Sequence, residues 1–230
     1  MGSGGWRRWV VALAASALVL PASGCADAWQ RVRQVQHEAT GTSRGISPQV
    51  LVADLQDRAR AHETVSFWLA GDVVDGGGFL AVDTPDVKAE LTIDGEEWTY
   101  LLLDGHAYSK AADPWDAPWV EVVPGRLGDL AELPLDPVRH LQVWADQAVA
   151  ARELEAREEG GVPVRVFRLD LTSDGATGPV SVDVVVDRTG LLQRTELWMD
   201  GEPVQTTGYE DWDAGLQLVA PDVAPAHGRV

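Results

Sequence analysis

The sequence is poor in cysteine, in lysine and in long apolar runs. Its 230 residues hold one cysteine. Cys25 therefore has no partner for a disulfide within the chain, and a lone thiol in an exported protein needs another use. Lys88 and Lys110 are the only lysines among 18 basic residues, against 36 acidic ones, and the net charge is −18. Such a balance argues against nucleic acid as a partner and against charge-driven binding to an anionic membrane surface. The longest apolar run, Trp9 to Leu20, is about a dozen residues. A membrane-spanning helix needs about 20.

Recognisable catalytic and metal-binding patterns are scarce too. His37, His62, His106, His140 and His227 are scattered, with no H-x-x-x-H pair and no cysteine cluster, so no zinc site is expected. Gly41-Thr42-Ser43-Arg44-Gly45 has the letters of a nucleophile elbow, but that motif needs a strand before it and a helix directly after. Gly76-Gly77-Gly78 lacks the lysine of a phosphate loop and reads as a hairpin turn. Asp211-x-Asp213 with Gly215 lacks the other ligands of a calcium loop and reads as a turn. Glu96-Glu97 and Glu158-Glu159 are adjacent pairs, which on strands point to opposite faces, so neither converges as a glycosidase pair and both read as solvated surface. No catalytic residue, metal or cofactor is expected. A hydrolase would need residues far apart in the chain to converge.

What the chain does have begins at its N-terminus. Arg7 and Arg8 are the only charges before Cys25; the apolar run follows, then Ala22, Ser23 and Gly24. A positive head, a short apolar segment and a small-residue cleavage site make a secretory signal. Ala22-Ser23-Gly24-Cys25 resembles a bacterial lipobox, although leucine is commoner where Ala22 stands. That resemblance implies cleavage before Cys25 and attachment of a diacylglyceryl group, with fatty acids such as palmitate, to its thiol. Stable anchoring takes at least two chains, which such a group supplies. The expected location is the outer face of the cytoplasmic membrane. Loss of residues 1–24 removes two arginines and no acid, taking the charge from −18 to −20. The preference for Arg over Lys, with many Ala, Val, Gly and Asp, suggests a high-GC, actinobacterial genome.

Residues 25–46 read as anchor and flexible tether, 47–222 as one domain, and 223–230 as a tail. Ser47-Pro48 opens a helix expected near 48–62, with Val50, Leu51, Leu55 and Ala59 at helical spacing. Asp136-Pro137 opens a second, expected to run from about 137 to 158, where Gly160-Gly161 ends it. Elsewhere the period is two. Val87, Ala89, Leu91 and Ile93 alternate with Lys88, Glu90, Thr92 and Asp94; Val180, Val182, Val184 and Val186 alternate with Ser181, Asp183, Val185 and Asp187. One apolar and one wet face are expected on each strand. Asp-Gly pairs at 75–76, 94–95, 104–105, 174–175 and 200–201 supply the positive φ of tight hairpins. A large sheet must bury its apolar face, and two or three helices cover it best if it is strongly curved. The fold class is thus α+β: a strongly curved antiparallel sheet, a half-barrel, with helices over its concave apolar face. The same strands would also suit a closed barrel or a sandwich.

The order of segments carries a family resemblance. Lipobox, tether and helix are followed by "DGEEWTYLLLDGHAYSK" (94–110), "WVEV" (119–122), "LDP" (135–137), "VVVDRTGLLQRTELWMDG" (184–201) and "TTGYEDWDAGLQLVAPD" (206–222), whose Y-x-D-W stretch precedes an expected final strand. Over residues 47–222 the chain resembles the actinobacterial LppX/LprG-type lipoproteins and the wider LolA-like half-barrel superfamily. The resemblance implies a half-barrel around a lipid cavity, with a non-catalytic role in binding or carrying acyl lipids at the cell envelope.

The candidate cavity wall is Val87, Leu91, Ile93, Trp98, Tyr100, Leu102, Val182, Val184 and Val186. Trp115 and Trp119 flank a proline-rich loop where they could rim an opening. These aromatics would equally serve as plain core. The leading expectation is a lipid or other apolar small-molecule ligand, bound by a protein held to the membrane through Cys25. The alternative is an envelope interaction or stress-sensing module with a protein partner and no lipid cargo; a cavity would favour the first and a packed interior the second.

Overall fold

The computed structural model of the chain describes residues 45–72, 74–93, 95–111, 117–122, 135–154, 156–172 and 178–223. Cys25, the signal and nearly all of the tether, Trp115, Asp94 and the 174–175 turn lie outside the described residues.

Among the described residues, thirteen strands form one antiparallel sheet with two helices. Strand β1 (Gly45–Ile46) leads into helix α1 (Pro48–Ala59). A meander follows: β2 (Thr64–Gly71), β3 (Val74–Ala81), β4 (Val87–Ile93), β5 (Glu96–Leu103), β6 (His106–Ala111) and β7 (Val120–Val122). Helix α2 (Pro137–Gln147) precedes β8 (Ala148–Glu153), β9 (Arg157–Glu159), β10 (Val162–Leu171), β11 (Val180–Asp187), β12 (Leu192–Met199) and β13 (Glu202–Glu210). The strand order is β1-β8-β10-β11-β12-β13-β2-β3-β4-β5-β6-β7, with β9 also on β10. Two meanders are thus welded where β13 meets β2, Tyr209 opposite Phe67. The path does not close on itself, and the sheet is a curved half-barrel with the helices on its apolar face.

The turns follow their chemistry. Asp104-Gly105 (φ 52° and 79°) and Asp200-Gly201 (φ 54° and 83°) make two-residue hairpins. Such turns need positive φ at both central positions.

Several expectations are corrected. The first helix stops at Ala59 rather than 62. Ser47 sits at its N-cap, but its hydroxyl turns to Gln49 Oε1 at 3.1 Å instead of an amide. The second helix ends at Gln147 rather than 158. Its start is as read: Asp136 accepts a hydrogen bond from the Val138 amide at 2.9 Å. Beyond Gln147 the sequence becomes β8, pairing with β10 from Ala148 onward. Helix propensity in that stretch is overridden by the ladder offered by β10.

Gly76, Gly77 and Gly78 are not a turn but the middle of β3. A Cβ at Gly76 would meet Glu90 O at 2.2 Å, and one at Gly78 would meet Lys88 O at 2.0 Å. Gly76 also has φ 139°, which side chains disfavour. The backbone of β4 occupies the space that side chains would take, so glycine here permits a sharp bend between β3 and β4. Finally, residues 214–222 form no strand.

The core lies between helices and sheet. Leu51, Val52, Leu55 and Ala59 of α1 and Val138, Leu141, Trp144 and Ala145 of α2 join Phe67, Leu69, Leu80, Leu91, Leu169 and Tyr209 in one buried cluster. The helices are clipped by a buried amide: Gln56 donates to Val138 O at 2.7 Å and to Gln142 Oε1 at 3.4 Å.

Candidate functional site on the concave face

Residues paired directly across an antiparallel ladder share a face, so the register defines the concave surface. One row runs Val184, Thr195, Thr207, Leu69, Gly76, Leu91, Trp98, Ala111. A second runs Tyr209, Phe67, Gly78, Ala89, Tyr100, Ser109. A third runs Val65, Leu80, Val87, Leu102, Ala107, Val122. From β11 to β7 these three rows carry no charged side chain; charge on the same face lies outside them, at Glu96 opposite Ile93, Arg165 opposite Val186 and Glu153 opposite Phe167.

All nine residues chosen from sequence fall on this face, in two different settings. Val182, Val184 and Val186 have at most 1% exposure and sit in the same cluster as the helix residues. Leu91 joins them at 2%. Val87, Ile93, Trp98, Tyr100 and Leu102 are only half-buried. Trp98 and Tyr100 lie in parallel, ring centroids 6.2 Å apart and planes 26° apart. In the wing from β3 to β7, Val74, Leu80, Ala89 and Leu91 belong to that cluster and Val87, Ile93 and Tyr100 pack against it, while Trp98 and Leu102 lie partly uncovered outside it. Ala89 falls on this face as its alternation implied, whereas sequence reasoning missed Gly76, Gly78, Phe67 and Leu69 there. The alternation Val74, Gly76, Gly78, Leu80 held the signal, but glycine masked it. Trp119 flanks β7, with Lys110 Nζ 5.4 Å from its ring centre.

Few polar groups enter the interior. Asp136 is 8% exposed, and burial pushes its carboxyl above the usual range despite the Val138 amide beside it. Tyr209 is 2% exposed; burial raises its hydroxyl, and the Asp136 charge adds to this. No three His, Cys, Asp or Glu side chains converge as metal ligands among the described residues. Nor does any described helix have the length and apolarity to cross a membrane.

The convex face is not simply wet. Asp183 is 3% exposed and accepts hydrogen bonds from Nε and Nη2 of Arg168, each at 2.6 Å. Arg168 also lies over Trp198, 5.4 Å from the ring centre. Val164, Val166 and Val185 form a small second cluster with Leu154 against it. The expected wet face of β11 is overturned here because fork-to-fork pairing satisfies the charge while Leu154 covers the valines. Glu159 is likewise no free surface acid. It is held by Arg194, Nη2 to Oε1 at 2.8 Å, and by Arg157, and these hydrogen bonds pull its carboxyl below the usual range.

The Y-x-D-W stretch is a structural clasp. Trp212 packs on the main core, with ring centroids 5.1 Å from His62 and 6.3 Å from Tyr209. The following Asp213 accepts the Glu63 amide at 2.7 Å through Oδ1 and meets His62 Nδ1 at 2.7 Å through Oδ2. Asp211 and Asp213 both have positive φ, so the motif is the turn expected of it.

An open, curved antiparallel sheet with a helix pair over one apolar face is a half-barrel fold. Solved structures share it. The chain is similar to LprF from Mycobacterium bovis, with TM-score 0.54, 12% identity, and coverage of 76% of this chain and 96% of that one. It is also similar to the Mycobacterium tuberculosis lipoprotein LppX, with TM-score 0.52, 12% identity, and coverage of 76% and 99%. The likeness is one of fold. No protein-family model and no curated protein matches the chain in sequence.

Proposed function

We propose that the protein is an exported lipoprotein, anchored through Cys25, that binds a lipid or other apolar ligand on its concave face and carries or shields it without covalent chemistry. The carrying observation is the set of uncharged rows on the concave face that lead from Val184 of β11 to the half-buried Trp98, Tyr100 and Leu102 of β5. An acyl chain laid there would exchange water for apolar side chains, at about 25 cal/mol per Å² buried. The charge-free rows suit it, since an unpaired buried charge near an alkyl chain would be costly. The lipobox-like segment supplies the anchor and residues 26–44 the tether, which is shorter than expected because Gly45 and Ile46 pair with β8 as β1.

The ligand half of this reading is tested by titrating the chain with cis-parinaric acid, whose fluorescence rises in an apolar site. Saturable binding that Trp98→Ala and Tyr100→Ala weaken supports it. No binding, with an intact fold, would turn the account toward an envelope module that meets another protein. The anchor half is tested by Cys25→Ala. The variant should leave the carbonate-washed membrane fraction; unchanged retention would contradict the anchor.

A further inference from the structure

The clasp at Asp213 is one end of a longer feature. After Asp213 the chain runs without regular structure to Val223, which forms a parallel bridge with Trp119, directly before β7. The near end is held by the Asp213 amide to Thr64 O at 2.9 Å and by the Asp213 carboxylate on Glu63 and His62. Thr64 starts β2, at the middle of the sheet, whereas β7 is its outermost strand. Five strand steps of about 4.8 Å separate them, roughly 24 Å. The ten residues from Asp213 to Val223 reach about 35 Å when fully extended. The offset along the strands, about 13 Å by the register, makes the path roughly 27 Å, so the segment spans it in a mostly extended form. Leu216, Leu218 and Pro221 are half-buried, while Gln217 and Val219 face solvent, so the segment lies against the domain. The edge it reaches is weak by itself, since β7 has three residues and, among the described strands, pairs with β6 alone.

We propose that Ala214–Val223 is a strap, drawn from the centre of the sheet to its free edge. It holds the β3–β7 wing in its curved form and so sets how widely the concave face opens. A string fixed at both ends of an arc resists its flattening. Cutting or detaching it lets the wing relax without touching the packed half under the helices. The mechanical part stands on the two attachments alone; the gating part rests on the concave face being a ligand site.

The test compares the full chain with one ended after Asp213 and one ended after Val219. The second keeps the clasp and both half-buried leucines and loses only the far attachment. Hydrogen exchange is followed by mass spectrometry, and release of cis-parinaric acid by stopped flow. Both shortened chains should exchange at least tenfold faster over His106–Ala111 and Val120–Val122. Peptides from β10 to β12 should be unchanged, and parinarate release several-fold faster. Unchanged exchange in β6 and β7 for the chain ended after Val219 would overturn the strap, as would acceleration spread evenly over the whole sheet. Faster wing exchange with no parinarate bound by any form would uphold the strap and contradict the ligand reading.

Discussion

Leu91 lies directly opposite Trp98 across the β4–β5 ladder, on the same face, yet Leu91 is 2% exposed and Trp98 is half-uncovered. The pair marks the border between packed core and candidate ligand surface. The two residues should therefore respond differently to substitution.

Leu91→Asp should destabilise the domain by about 4 kcal/mol, enough to unfold a marginal fold, because it buries an unpaired charge. Trp98→Ala should lower the melting temperature only slightly while reducing parinarate affinity. Thermal melts beside a fluorescence titration check both. Equal thermal losses would remove the border.

Gly78→Ala should be nearly as damaging as a core charge. The added methyl would stand 2.0 Å from Lys88 O, and backbone must move to admit it. A loss of about 3 kcal/mol is expected in urea unfolding. A neutral result would mean that β3 and β4 are less tightly bent than described.

These predictions also show what could be read from the chain. The β4 alternation, the apolar face of β11, the Asp-Gly turns at 104 and 200 and the Asp136 cap are local patterns, and each sits where its chemistry demands. The weld of β13 to β2 is not local: Tyr209 and Phe67 are 142 positions apart, and no short-range signal pairs them. The glycines of β3 misled because glycine marks a turn and a tight bend alike. Ala148–Glu153 misled because its side chains suit a helix while β10 offers it a ladder. Asp183 looked solvated because its partner Arg168 lies on another strand.

Breaking that pair should be costly. Asp183 is nearly inaccessible, and Arg168→Ala strands its carboxylate. About 3 kcal/mol of stability should be lost. Replacing both residues with leucine should recover most of it. A double-mutant cycle by chemical denaturation decides, and an additive cycle would contradict the coupling.

Asp136 gives a pH signature. Burial raises its pKa in the fold above the ordinary value of 3.8. A raised acid favours the neutral form, so its contribution to stability is greatest below the unfolded value and is lost as pH rises through the folded one. Asp136→Asn keeps a capping oxygen and removes the charge, so it should raise the melting temperature at pH 7, with the gain shrinking toward pH 4. Asp136→Ala should instead lose about 1 kcal/mol with the cap. If Asn and Ala lower the melting temperature alike at pH 7, burial does not govern this group.

The central claim is that the concave face holds an apolar ligand. Native mass spectrometry of the exported chain, with organic extraction of whatever travels with it, tests this most directly. The account predicts an added mass that extracts as a lipid and is lost in Trp98→Ala. A clean unliganded mass that persists after incubation with envelope lipids would contradict it.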